Sequence, residues 1–364
     1  MEINDILRAM VQLRASDLFL KVGVPPAVRV DGAVRQLGQT CLTDEDMKRY
    51  FAVLVDEYGR ETFRKHHEVD TAHEEEGLGR FRVNGFMQRG RIGFVLRHVQ
   101  SDIPGFQELG LPSQTLERLS MLRRGMVLVT GVTGSGKSTT LAAMIQYMNQ
   151  YTNRHIITVE DPIEYSYTDQ RSVINQREVG IDTRDWQSAL RNAMREAPDV
   201  ILIGEMRDTE TVQAAIDAAE TGHLVLSTLH TVNAQQTMER IINFFPPYQH
   251  QLIRMQLSIV LQGVVSQRLI PRSGRPGRVP GLEVMIASPT IRQMIEEGRT
   301  VELGGVMAES RHFGCMTFNQ SLFALYEKGD ISREDALANA DNPDEMEMLF
   351  RGIQRGAQMG AGPV

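Results

Sequence analysis

Residues 126–140 read MVLVTGVTGSGKSTT. A short apolar run, Val127 to Thr130, is followed by Gly131, Gly134 and Gly136, then Lys137 and Ser138. This is G-x-x-x-x-G-K-[ST], the phosphate-binding loop. A brief β-branched run bounded by glycine predicts a buried strand before the loop. Leu141, Ile145 and Met148 recur on one face after it and predict a helix over about 137–151. Strand, loop and helix in this order aim the first helical N–H groups and the positive end of the helix dipole at an anion. Glycine lets the backbone close on that anion. Thr133, Gly134, Ser135, Gly136 and Thr139 complete the expected cradle. Lys137 is expected to reach the β- and γ-phosphates, and Ser138 to offer its hydroxyl to Mg²⁺.

Outward from the loop, apolar strands at Ile156–Val159, Val200–Ile203 and Leu224–Thr228 alternate with helices at about 184–196, 209–220 and 233–244. That alternation predicts an α/β domain built on a parallel sheet. A further helix is expected over about 249–265, then a strand at Val279–Met285 and helices near 289–297, 319–327 and 333–339. The glycine-rich end, residues 351–364, is expected to be a flexible tail. Upstream, residues 1–98 predict a smaller α+β domain. Ile3, Ile6, Leu7, Met10 and Val11 mark one side of a short helix, and Asp31-Gly32 turns one strand into the next. Thr43 caps a helix expected to run to about Tyr58, and Arg80–Gln88 pairs with Ile92–Val99 across Gly90. Residues 99–113 form the expected linker, with the second domain over 114–350.

Hydrolysis of a bound nucleotide needs acids at the ends of neighbouring strands. Val200–Ile203 runs into Gly204-Glu205, and Ile156–Val159 runs into Glu160-Asp161-Pro162-Ile163-Glu164. Glu205 is the candidate Mg²⁺-side carboxylate. His223 and His230 bracket the strand Leu224–Thr228, expected beside the loop, which makes both candidate γ-phosphate sensors.

Composition closes off other classes. The net charge of −7 argues against a nucleic-acid motor, since such a surface needs clustered Lys and Arg. Cys41 and Cys315 suggest neither a zinc site nor a disulfide framework. The sequence shows neither a spanning apolar run nor a secretory leader, so a cytoplasmic protein is expected.

GVTGSGKSTT, ITVEDPIEY, DVILIGEMRD and TGHLVLSTLHT occur in that order. They resemble the Walker A, Asp-box, Walker B and His-box motifs of the secretion ATPases, and within these the type IV pilus retraction ATPases (the PilT/PilU family). The resemblance runs from Ser16 to about Pro343. It implies a RecA-like P-loop core, a PAS-like N-terminal domain, a homo-hexameric ring and ATP hydrolysis with Mg²⁺. It further implies twitching motility by pilus retraction, an inner-membrane platform protein as partner, a position peripheral to that membrane, and no nucleic acid. Glu164 then matches the general base, and Arg82 and Arg97 the arginines that contact the nucleotide from the N-terminal domain. The catalytic set implied is Lys137, Glu164, Glu205 and His230. In the family's AIRNLIRE stretch this chain has Thr290-Ile-Arg-Gln-Met-Ile-Glu-Glu297, with Glu296 replacing an arginine. Principal motor and accessory paralogue, itself pairing with another retraction ATPase, both stay open.

Overall fold

The computed structural model describes residues 2–352; the expected tail lies, from 353 onward, outside them. The chain divides into two compact units. One comprises Met1–Asp102 with Pro162–Thr168, the other Ile103–Asp161 with Asp169–Val364.

In the first unit, α1 (Ile3–Gln12), α2 (Asp44–Leu54) and α3 (Glu57–His66) accompany six strands. These are β1 (Asp17–Lys21), β2 (Ala27–Val30), β3 (Ala33–Gln36), β4 (Glu68–Glu75), β5 (Gly79–Gln88) and β6 (Arg91–His98). They form one sheet in the order β3-β2-β1-β6-β5-β4, antiparallel throughout. The single helix expected to reach Tyr58 is two. Val55 turns to extended backbone, and the Asp56 side chain accepts the Gly59 N–H to start α3. Its core joins Ile6, Leu7 and Met10 to Leu18, Tyr50, Phe81 and Phe94.

The second unit adds β7 (Gly125–Thr130), β8 (His155–Glu160), β9 (Val173–Glu178), β10 (Val200–Ile203), β11 (Leu224–Leu229), β12 (Leu261–Pro271) and β13 (Arg278–Ile286). Their order is β13-β12-β7-β11-β10-β8-β9, parallel except for the antiparallel edge strand β13. The helices are α4 (Ser113–Ser120), α5 (Lys137–Tyr151), α6 (Trp186–Ala193), α7 (Thr209–Glu220), α8 (Ala234–Asn243), α9 (His250–Val260), α10 (Pro289–Glu297), α11 (Leu303–Glu309), α12 (Phe318–Glu327), α13 (Arg333–Asn339) and α14 (Pro343–Phe350). Every residue of β7, β10 and β11 is buried, which is why these segments are dominated by apolar residues. Each fully buried Val, Leu or Ile there contributes about 1.5–3 kcal/mol.

The helix expected over 249–265 is a correction. It ends at Val260, and Leu261–Pro271 is the strand that pairs with β7 on one side and β13 on the other. No glycine or proline separates the two halves until Gly263. Only the need to cover the flank of β7 divides the apolar run into helix and strand.

Candidate nucleotide site

The C-terminal ends of parallel strands lie along one edge of a sheet, where ligands of such folds bind. In the second unit that edge carries the loop after β7, His230 after β11, Glu205 after β10 and Glu160-Asp161 at the end of β8.

The loop is shaped by close approach. Gly131 has φ +146, and a Cβ there would stand 2.5 Å from both the Gln267 carbonyl and Ser135 Oγ. Gly134 has φ +78 with open space around it. Lys137 is buried, and its Nζ donates to the carbonyls of Gly131 (2.8 Å) and Val132 (3.1 Å), which poises the ammonium over the loop. Ser135 Oγ is buried without a hydrogen-bond partner. An orphaned hydroxyl, a held ammonium and the N-terminus of a 15-residue helix together fit a phosphate group. Beside the loop, a cavity of about 310 Å³ is lined also by Gln267, Arg268, Arg278 and Asn339. Ser138 and Glu205 supply a hydroxyl and a carboxylate, the hard oxygen donors that Mg²⁺ takes alongside phosphate oxygens.

Glu205 is doubly held. His230 Nε2 lies 3.1 Å from its Oε1, and Arg207 Nε donates to its Oε2 at 2.7 Å. Arg207 also faces Asp161 at 3.7 Å. Arg207 was not among the expected site residues, although a cation two positions past the strand-end acid was there to be read. Glu160 turns instead to Thr158, whose hydroxyl donates to it at 2.7 Å.

His223 does not join this group, which corrects the expectation for it. Its carbonyl accepts the N–H of Gly125 at the start of β7, the opposite edge of the sheet. Its Nδ1 lies 2.9 Å from the Ala218 carbonyl, so the ring closes the end of α7. Six residues of β11 at about 3.3 Å each place it roughly 20 Å from the loop's edge.

In the first unit, Arg82 and Arg97 are direct cross-strand partners on β5 and β6. Both strands lie inside the sheet, β5 between β6 and β4 and β6 between β1 and β5. Like charges directly opposite are unfavourable. The row continues to Asp17 on β1 and Arg29 on β2. Asp17 is buried and accepts from Arg97 Nε (3.0 Å) and Nη2 (2.9 Å), with Arg29 at 3.3 Å. Burial works to raise the Asp17 carboxyl, but the Ser16 hydroxyl and the two guanidiniums outweigh it and hold it below the usual carboxylate range. Among the described residues Arg82 makes a looser contact, 3.8 Å to Asp70. The segment after β8 belongs to this unit: the Ser166 N–H donates to the Gln100 carbonyl at 2.9 Å. Exposed Glu164 therefore shares a cavity of about 820 Å³ with Arg14, Ser16, Arg82 and Arg97.

Comparison with known proteins agrees with this chemistry. The family described as type II/IV secretion system protein matches residues 77–322. The type IV pilus ATPase PilU of Pseudomonas aeruginosa is 44% identical over 351 residues, covering 96% of this chain and 92% of that protein. The type IV pilus retraction ATPase PilT of the same organism is 42% identical over 344 residues, covering 94% and 99%. The crystal structure of the pilus retraction motor PilT with bound ADP superposes with a TM-score of 0.87 at 44% identity, covering 95% of this chain and 99% of that one. With the phosphate loop, the strand-end acids and the identity of whole chains in agreement, this protein belongs to the type IV pilus retraction ATPases, the PilT and PilU family.

Proposed function

We propose that this chain is a Mg²⁺-dependent, ATP-driven motor for type IV pilus retraction, working as a homo-hexamer. It acts at the cytoplasmic face of the inner membrane on a platform protein of the pilus machine, as principal motor or alongside a paralogous retraction ATPase. Nucleic acid is not its partner. The observation that carries this reading is the phosphate loop, with Lys137 held over it and His230 and Arg207 converging on Glu205 beyond it.

The loop amides, Lys137 and Ser135 bind the β- and γ-phosphates, and the adjoining cavity receives the rest of the nucleotide. Ser138 and Glu205 would hold Mg²⁺, which when bound would supply positive charge against the phosphate oxygens. Glu164 takes the proton of the attacking water. His230 reads the γ-phosphate through its contact with Glu205. Arg82 and Arg97, crowded into one row, gain an anion between them when ATP is present and lose it after hydrolysis.

Phosphate release by the purified protein tests the assignment. Lys137→Ala is expected to lower the rate by about 10²-fold or more and to weaken ATP binding. Glu205→Gln should remove Mg²⁺-dependent turnover. Glu164→Gln should stop turnover while ATP binding, read by fluorescent-nucleotide titration, persists. Wild-type turnover in Glu164→Gln would overturn its role as base.

A further inference from the structure

Glu283 lies on β13, 6% exposed, and belongs to none of the nucleotide motifs. Its Oε1 accepts the N–H of Ala234, the first residue of α8, at 2.7 Å. Along the ladder, Glu283 stands opposite Ser266 on β12, and Ser266 opposite Thr130 on β7. Residues in register point to one face. Thr130 Oγ1 donates to Ser266 Oγ at 2.9 Å, and Thr130 immediately precedes Gly131. The next residue of β12, Gln267, sets its carbonyl against Gly131. A row of buried polar side chains thus runs from the root of the phosphate loop to the start of α8. On the far side, the hydroxyls of Thr231 and Thr237 meet at 2.7 Å and tie the loop after His230 to the same helix.

Helix capping alone does not require this carboxylate. The Asn233 side chain already accepts the Gln236 N–H at 2.9 Å, and a glutamine at 283 would accept the Ala234 N–H without burying an ionisable group. We propose that Glu283 is a positioning residue for turnover: it holds the start of α8, and with it the His230–Asn233 loop, in register with the strand that carries the phosphate loop. This rests on the reading of His230 as the γ-phosphate reader.

Burial pushes the carboxyl up to about 7, against the Ala234 hydrogen bond; Asp341 adds to the rise and Arg268 on β12 opposes it. The charges of α8 engage other groups: Glu239 accepts from Gln235 and Thr300, and Arg240 lies over the Phe244 ring. On α12 the neighbouring group is neutral, Ser321, which accepts the Leu282 N–H. The ionised form is the stronger acceptor and suits a helix N-terminus, so the hold tightens as pH rises through about 7. Stability runs the other way. A carboxyl raised on folding contributes stability that declines from the ordinary glutamate range, about 4.3, up to about 7.

The test is kcat and KM for ATP from pH 5.5 to 8.5, with thermal unfolding over the same range. Wild-type kcat should rise severalfold across a limb centred near 7. Glu283→Gln, which keeps the acceptor but cannot titrate, should lose that limb while KM stays within about twofold, and its Tm advantage over wild type should grow with pH. Glu283→Leu, which orphans the Ala234 N–H, should lose about tenfold in kcat, the rate equivalent of one buried hydrogen bond. An unchanged limb in Glu283→Gln, with His230→Ala impaired, overturns the role of Glu283. Wild-type turnover in His230→Ala instead overturns the His230 reading, and the inference with it.

Discussion

At Gly131 the backbone meets two neighbours at once, and substitution there separates strain from chemistry. Alanine at 131 would drive its Cβ to 2.5 Å from the Gln267 carbonyl, which belongs to a central strand and cannot retreat cheaply. Alanine at 134 meets nothing and faces only the left-handed backbone cost, about 1–2 kcal/mol. Thermal unfolding without nucleotide should therefore rank Gly131→Ala well below Gly134→Ala. Equal melting temperatures would mean that β12 does not brace the loop. Gly131, Lys137 and Ser138 could be read from spacing alone. Ser266 could not, because its partners Thr130 and Glu283 are fixed only by the sheet's register.

Among the elements, the row Arg29–Asp17–Arg97–Arg82 puts three guanidiniums and one carboxylate across four adjacent strands. Asp17 is the one acid in direct register with them, so Asp17→Asn leaves like charges facing each other in a partly buried setting. A loss of about 1–3 kcal/mol is expected at pH 7, read as a lower Tm. The Asp17 pKa is depressed on folding, so its contribution is present above the ordinary aspartate value and fades as pH falls below about 4. The gap between wild type and variant should close in acid. A gap that persists at pH 3 would assign the loss to packing. A row that keeps two arginines opposed spends stability on an arrangement the fold does not need, which is where functional sites are found.

For the whole molecule, a motor that acts on its neighbours needs a closed assembly, and heterologous contacts close into rings when the rotation allows. Specific ATPase activity should rise with protein concentration and level off as the assembly fills, in step with mass by light scattering. Full activity from a monomer would sink the ring mechanism. Among the described residues no helix is long and apolar enough to cross a membrane.

Much of this was settled by local sequence. The phosphate loop, the apolar strands and the strand-end acids carry their own signals, because turn geometry and burial on both faces are written in consecutive residues. The acidic edge strand β4, EVDTAHEE, carries little of that signal, since an edge strand faces water and need not be apolar. The 249–271 stretch likewise became helix and then strand only because β7 needed a neighbour. His223 and His230 look equivalent in sequence, seven residues apart around one strand. The direction of that strand in the parallel sheet sends one to the phosphate edge and the other to the far edge. The contact of His230 with Glu205 and the partners of Glu283 were likewise decided by tertiary structure, because register and long-range contact choose which side chains meet, and neither is encoded in spacing along the chain.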